Sequence, residues 1–287
     1  MAEQGKNRKS RAAAPSPGFK TKDIVPAAGG LEAIRKKRAF ICDMDGVIYH
    51  GNTLIPGVED FVAWLTANRK RFLFLTNSSE RSPRELQEKL ERLGINVSQT
   101  HFYTSAIATA AFLASQKPGG SVYVIGEAGL INALYKAGFS MNDVDPDFVV
   151  VGESRTYSFE RIEKAVHLVR AGAKLIGCNP DLTDKMTEGY VPATGALIAP
   201  IELASDRKAY FVGKPNPLMV RHALARLGCR REHTVIIGDR MDTDIIAGIE
   251  AGIDTVLVLS GVTSGNDVDS FPYRPAHILQ SIADLVP

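Results

Sequence analysis

Ala39-Phe40-Ile41-Cys42-Asp43-Met44-Asp45-Gly46 is the stretch that decides the fold. Four apolar residues run directly into two carboxylates, the pattern of a short strand buried on both faces that ends on acid. Arg71-Phe72-Leu73-Phe74-Leu75-Thr76 repeats the pattern and ends in Thr76-Asn77-Ser78-Ser79. Thr234 to Ile237 repeats it again and ends in Gly238-Asp239-Arg240-Met241-Asp242-Thr243-Asp244. Segments of helical spacing separate these runs. Val58, Phe61, Val62 and Leu65 share one face, and Pro83 with Ser82 as its cap opens a helix to Gly94. Further helices are expected over Thr104 to Gln116, Leu218 to Leu227 and Thr243 to Ala251, and a strand over Thr255 to Leu259. Strands alternating with helices imply parallel sheets. The expected class is α/β, with a Rossmann-like doubly wound parallel sheet as its core.

Between the second and third of these runs the pattern restarts. Lys117-Pro118-Gly119-Gly120 is a breaker cluster. After it come strands at Val122 to Ile125, Phe148 to Val151 and Leu175 to Cys178, with helices at Leu130 to Ala137 and Phe159 to Ala171. This block reads as a smaller α/β domain inserted into the larger one. The expected division is a disordered basic tail over 1–35, core over 36–117, inserted cap over 118–207 and core again over 208–287.

Charge separates the tail from the body. Residues 1–38 hold ten Lys/Arg against three Asp/Glu, and the remainder 24 against 29, within a net charge of +2. A folded body on the acidic side speaks against a nucleic-acid-binding domain, whose positive charge belongs on a structured face. No run of about 18 apolar residues occurs, so no membrane span is expected. Cys42, Cys178 and Cys229 fit neither a disulfide framework nor a zinc pattern, and point to reduced, mostly buried thiols in a cytoplasmic protein. None of the six histidines pairs with another at metal-ligand spacing.

In doubly wound sheets ligands lie beyond the carboxyl ends of the strands. Here those ends bring Asp43, Asp45, Thr76, Asn77, Ser78, Asp239 and Asp244 to one edge, joined by Lys214 after Phe211-Val212-Gly213. Carboxylates without His or Cys make a hard oxygen site suited to Mg²⁺. Asp43 and Asp239, with the backbone carbonyl of Asp45, are the expected ligands. A carboxylate beside such a cation stays ionised, so Asp43 can attack phosphorus and form an aspartyl-phosphate. Asp45, among anionic neighbours, can hold a proton for the leaving oxygen. Lys214 can neutralise charge on the phosphoryl oxygens, and Thr76 and Ser78 can donate to them. In the inserted block, Asn179 and Asp181 offer an amide and a carboxylate to the leaving group.

This ordered set resembles the haloacid dehalogenase-like (HAD) phosphohydrolases. Their four motifs correspond to Asp43-x-Asp45, Thr76, Lys214 and Gly238-Asp239-x4-Asp244. The runs Asp43 to Asn52, Val122 to Glu127, Asp147 to Glu153, Asn179-Pro-Asp181 and Gly213-Lys-Pro215 resemble the NagD branch, subfamily IIA, which holds ribonucleotide monophosphatases and 4-nitrophenylphosphatase-type enzymes. One departure is Pro192-Ala193-Thr194-Gly195, where that pattern leads one to expect Gly at 193. The resemblance implies a Mg²⁺-dependent phosphomonoesterase with Asp43 as nucleophile, Asp45 as acid/base, Asp239 as metal ligand, Asp244 as ligand or its neighbour, and the inserted block as a lid. The implied substrate is a small phosphate ester, a nucleoside monophosphate such as UMP. A phosphosugar, phosphoglycolate or pyridoxal phosphate is the alternative, and a non-catalytic receiver-like phosphate binder the alternative from another class. A homo-oligomer stays open.

Overall fold

The computed structural model describes residues 30–186 and 189–287. Helix α1 (Gly30–Arg35) leads into β1 (Ala39–Cys42), a small hairpin of β2 (Tyr49–His50) and β3 (Thr53–Leu54), then α2 (Val58–Ala67), β4 (Arg71–Thr76), α3 (Pro83–Arg92), β5 (Phe102–Thr104) and α4 (Ser105–Gln116). The second unit contains β6 (Ser121–Ile125), α5 (Ala128–Lys136), β7 (Ser140–Met141), β8 (Phe148–Val151), α6 (Phe159–Ala171) and β9 (Lys174–Gly177). A hairpin of β10 (Thr183–Met186) and β11 (Gly189–Pro192) follows, then α7 (Thr194–Ser205) and β12 (Tyr210–Phe211). The chain closes with α8 (Pro217–Leu227), β13 (Thr234–Gly238), α9 (Ile246–Ala251), β14 (Asp254–Val258) and β15 (His277–Leu279).

Two parallel sheets carry these elements. The first has the order β15-β14-β13-β1-β4-β5, the second β12-β9-β8-β6-β7. Alternation along the strands sorts the core. Phe40, Cys42, Phe72, Phe74, Val235 and Ile237 face α2 and α3, and Ile41, Leu73, Leu75 and Ile236 face the other way, toward α4 and α8. That second cluster continues without a break into the inserted unit through Val122, Leu130, Leu134 and Val150, so one apolar layer joins the two sheets. Each fully buried Phe or Leu in it stabilises the fold by about 1.5–3 kcal/mol over its exposed state. Cys42 and Cys178 are free and buried, and burial raises both thiols.

Three expectations change. Gly30–Arg35 is helical with Ile34 fully buried, although it falls in the segment expected to be disordered to 35; residues 1–29 lie outside the described residues. The return to the core, expected at 208, falls at Gly213–Lys214. Tyr210–Phe211 pairs with Ile176–Gly177 of the second sheet, a two-residue strand too short to show a period. The helix expected over Thr243 to Ala251 begins instead as a wide turn over Met241–Ile245 with an i→i+5 bond from Ile246 N–H to Met241 O, and becomes α-helical at Ile246. Ala193 has φ −102° and needs no glycine. The crowded position is Gly195, where a Cβ would lie 2.4 Å from Pro180 O.

Candidate active site

β1 and β13 are neighbours at the centre of the first sheet, and strand order runs in opposite directions on their two sides. This is the switch point where doubly wound sheets open a crevice. Ala39 to Cys42 register with Thr234 to Ile237, so the chain after β1 emerges beside the chain after β13. Asp43 N–H donates to Ile237 O at 2.8 Å, which fixes the first acidic residue against the second strand. Oxygens of Asp43, Asp239 and Asp244 then lie within 4.8 Å of one another.

Lys214 enters this group from the second sheet. It follows β12, and its Nζ donates to Asp43 Oδ1 at 2.5 Å and to Asp244 Oδ1 at 2.6 Å. Burial alone lowers a lysine, but Asp244 and Asp43 outweigh it and hold the ammonium above its ordinary range. Three carboxylates still face one ammonium. Burial, with Asp244 and Asp239 opposing Lys214, holds Asp43 well above the usual carboxyl range. Burial and the Asp244 charge push Asp239 up to about 7. An all-oxygen set with two uncompensated negative charges fits a hard divalent cation, whose charge would remove the repulsion that raises these carboxyls.

Glycines make room for the carboxylates. Gly46 has φ +78°, and a Cβ there would lie 2.4 Å from Asp239 Oδ2. A Cβ at Gly261 would lie 2.0 Å from the same oxygen. Val262 N–H donates to Asp239 Oδ2 at 2.7 Å. Gly238 leaves space for Asp244, whose Cβ would be 2.2 Å from an added Cβ. The wide turn delivers Asp244 into that space, and Arg240 N–H donates to its Oδ2 at 3.2 Å.

Thr76 and Ser78 stand at the end of β4. Ser78 N–H donates to Thr76 Oγ1 at 3.1 Å, closing a tight loop beside Asp43. Asn77 faces Lys214: its Oδ1 accepts from Lys214 N–H at 2.8 Å, and its Nδ2 donates to Lys214 O at 2.9 Å and to Asp181 Oδ2 at 2.8 Å. Asn179 is fully buried. Its Nδ2 donates to Asn77 O at 2.8 Å and to Glu153 Oε1 at 2.6 Å, and its Oδ1 accepts from Asp181 N–H at 3.1 Å. Asp181 Oδ1 pairs with Arg240 Nη1 at 3.0 Å. Both side chains are thus occupied by protein partners that tie the second unit to the loops after β4 and β13.

Asp45 retains solvent access while surrounding protein desolvates much of its carboxyl, and that burial, offset by Lys89, pushes it up to about 6. Lys89 of α3 sits 3.4 Å above the Tyr49 ring, a cation–π contact, and burial lowers it to about 8. The fields of Asp184, on the β10–β11 hairpin, and of Arg81 also reach Asp45, so this hairpin borders the space beyond it.

Sequence reasoning missed Lys89, Ser79, the Val262 amide and the position of Glu153. Glu153 accepts from Ser79 N–H at 2.8 Å, and also from the Ser79 hydroxyl. Burial raises its carboxyl, and no cation pairs with it among the described residues. The one signal available was the spacing of Lys89 on α3, where Leu86, Lys89 and Leu90 share the apolar face.

Comparison with known proteins agrees with this geometry. A haloacid dehalogenase-like hydrolase model matches residues 40–140, and an HAD-hydrolase-like model matches residues 211–285. The chain is 47% identical over 247 residues to the dihydroxyacetone phosphatase of Corynebacterium glutamicum, covering 86% of this chain and 90% of that one. It is 45% identical over 245 residues to the ribonucleotide monophosphatase NagD of Escherichia coli, covering 85% and 96%. The solved structure of NagD from Escherichia coli K-12 superposes with a TM-score of 0.83 over 87% of this chain and 98% of that one, at 44% identity. A 4-nitrophenylphosphatase from Thermotoga maritima superposes at 0.85 over 88% and 98%, at 33% identity.

Proposed function

This chain belongs to the haloacid dehalogenase-like hydrolases, as a phosphatase of their NagD branch, and from that premise we propose that it is a Mg²⁺-dependent phosphomonoesterase working through an aspartyl-phosphate at Asp43. The observation that carries the reading is the convergence of Asp43, Asp239 and Asp244 at the sheet switch point, with the buried ammonium of Lys214 paired to Asp43 and Asp244. Asp43, Asp239, Asp244 and the Asp45 carbonyl would hold the ion. Bound there, it supplies positive charge to the phosphoryl oxygens and to the Asp43 carboxylate.

The remaining chemistry falls to the chain's own groups. A carboxylate oxygen of Asp43 forms a bond to phosphorus as the ester P–O bond breaks, and the leaving oxygen takes a proton from Asp45. Asp45, now ionised, removes a proton from water, whose oxygen attacks phosphorus. The Asp43–phosphorus bond breaks, releasing phosphate and restoring the carboxylate. Lys214 balances charge on the phosphoryl oxygens and orients Asp43. Thr76 and Ser78 donate to the phosphoryl group. Asn77, Asn179 and Asp181 act by holding Lys214 and the phosphate loop in place, which their internal hydrogen bonds support.

Substrate choice falls to the β10–β11 hairpin, whose Asp184 reaches Asp45 by its field and which carries the exposed side chains of Leu182 and Tyr190. The 45% identity to a ribonucleotide monophosphatase makes a nucleoside monophosphate such as UMP the first reading. The 47% identity to a dihydroxyacetone phosphatase favours a three-carbon phosphate as the second. We place the enzyme in the cytoplasm, a reading its free thiols support; no helix among the described residues is long and apolar enough to cross a membrane. Turnover of UMP, other nucleoside monophosphates, dihydroxyacetone phosphate and phosphosugars with Mg²⁺, and after EDTA, tests the proposal. Preference for UMP with loss of all turnover in EDTA is expected. Full activity in EDTA refutes the metal reading, and preference for dihydroxyacetone phosphate selects the second substrate.

A further inference from the structure

The opposite edge of the first sheet, where β1, β4 and β13 begin, is cationic. Two adjoining crevices of about 640 and 850 Å³ share Gly228, Cys229 and Arg230 as a common wall. Arg38, Arg69, Lys70, Arg71 and His233 line the smaller, and Arg221 and Arg231 the larger. Glu232, in the larger, is the one acidic residue lining either.

Two of these cations serve the fold. Arg71 Nη1 donates to Leu227 O at 2.8 Å and Gly228 O at 3.0 Å, capping the C-terminal carbonyls of α8. Lys70 Nζ donates to Arg35 O and Lys37 O, both at 2.7 Å. The other five guanidinium groups, of Arg38, Arg69, Arg221, Arg230 and Arg231, have no side-chain hydrogen bond and no ion pair among the described residues. Their exposure leaves all five free to turn toward a ligand. Arg69 adds an independent observation. Its φ is +53°, a backbone conformation that suits Gly or Asn and that an arginine adopts at a cost. Local folding therefore disfavours arginine there, while a demand for charge at that spot would favour it.

We propose that this double crevice is a binding site for a multiply charged phosphate anion, the polyphosphate chain of a nucleoside triphosphate or of inorganic tripolyphosphate. Guanidinium forks match phosphate oxygens in geometry and charge. Arg230 borders both crevices, so an extended anion can reach from one arginine group to the other, which a single phosphate cannot. The site is concave, and His233 is its only ring, so it lacks the stacking platform of a single-stranded nucleic-acid groove. It lies at the opposite strand ends from Asp43 and Asp239, so the site stands whether or not the proposed phosphatase chemistry holds.

Calorimetric titration of tripolyphosphate, and separately of ATP, into the full chain in EDTA at low ionic strength tests this. Wild type is expected to bind both. Arg69→Gly should weaken binding several-fold while raising Tm, because glycine relieves the left-handed backbone. Arg69→Gly with Arg230→Ala should weaken it at least about 10-fold, the loss typical of charge-assisted hydrogen bonds, with turnover of a small aryl phosphate unchanged. Arg38→Ala with Arg221→Ala serves as a second pair should the first fail to fold. Equal affinity for ATP and tripolyphosphate assigns the whole ligand to the polyphosphate chain, and tighter ATP binding adds the nucleoside. Absence of binding at millimolar anion, or the same affinity in wild type and both pairs, overturns the site. So does an oligonucleotide that binds more tightly than tripolyphosphate and loses that affinity in the variants, which would make the surface a nucleic-acid one.

Discussion

In the six-stranded sheet the residues at the carboxyl ends of the strands, Asp43, Thr76 and Asp239, gather carboxylates and a hydroxyl at one edge; in the five-stranded sheet the residues that follow β8, β9 and β12, namely Glu153, Asn179 and Lys214, reach across to that edge. Both sheets are parallel, both are buried on two faces, and their carboxyl edges meet. The first edge presents repelling charges whose carboxyls are held above their ordinary range. The second presents one ammonium and two buried polar groups that fasten the loops of the first. The inserted unit is therefore more than a cover. It brings the one ammonium, Lys214, to the site at its junction with the core and holds the loop after β4 through Asn179 and Glu153.

Four experiments break or sharpen this contrast, taken from the largest expected effect down. Asp45→Asn should lower kcat about 10²-fold, the usual scale of lost acid/base catalysis, while Mg²⁺ dependence is retained through the main-chain carbonyl. A variant that loses only metal affinity would reassign Asp45 from proton transfer to ligation. Asn179→Ala leaves Glu153 Oε1 without its donor, while Asn77 O keeps the Ser105 hydroxyl, at a cost of about 1–3 kcal/mol for the unsatisfied carboxylate oxygen. Denaturant unfolding should show that loss, with kcat reduced more than KM is raised. Unchanged stability would mean that the second edge does not fasten the first.

Tyr190→Ser with Leu182→Ser should raise KM for the preferred substrate by about 10-fold, on the scale of one lost apolar contact, and leave a small aryl phosphate nearly unaffected. Equal losses on both substrates would move specificity off the hairpin. The smallest effect concerns Glu153. Its folded pKa is raised, so its share of stability is full below the ordinary carboxyl range near 4.3 and declines as pH rises toward the folded value. The stability deficit of Glu153→Gln relative to wild type should therefore shrink from acid to neutral pH. A deficit that grows over that range would show that the donors from Ser79 and Asn179 outweigh burial.

Much of this site was legible because its residues sit at the ends of apolar strands, and strands announce themselves through unbroken runs such as Phe40-Ile41-Cys42. The cap of α3 was equally plain: Ser82 Oγ accepts from Glu85 N–H at 3.4 Å, and the structure adds the return bond from Ser82 N–H to Glu85 Oε2 at 2.7 Å. What stayed hidden is lateral. Glu153 meets Ser79 across 74 residues, and Asn77 meets Lys214 across 137, and neither pairing leaves a period in the chain. The strand Tyr210–Phe211 is too short to read, and the wide turn before α9 follows from side-chain bonds to Asp244 rather than from propensity. Asn179 and Asp181 showed their polarity in the sequence but not their partners, which only the folded arrangement supplies.

The central claim is that the first edge supplies the nucleophile, and trapping the covalent intermediate tests it most directly. Protein turning over an aryl phosphate with Mg²⁺ is quenched in acid, digested and read by mass spectrometry, beside Asp43→Ala checked for an intact fold by circular dichroism. The account predicts one phosphoryl group on the wild-type peptide that contains Asp43, and neither that adduct nor turnover in Asp43→Ala. A folded Asp43→Ala protein that still hydrolyses the ester at near wild-type rate, or a phosphoryl group trapped on a different residue, would contradict it.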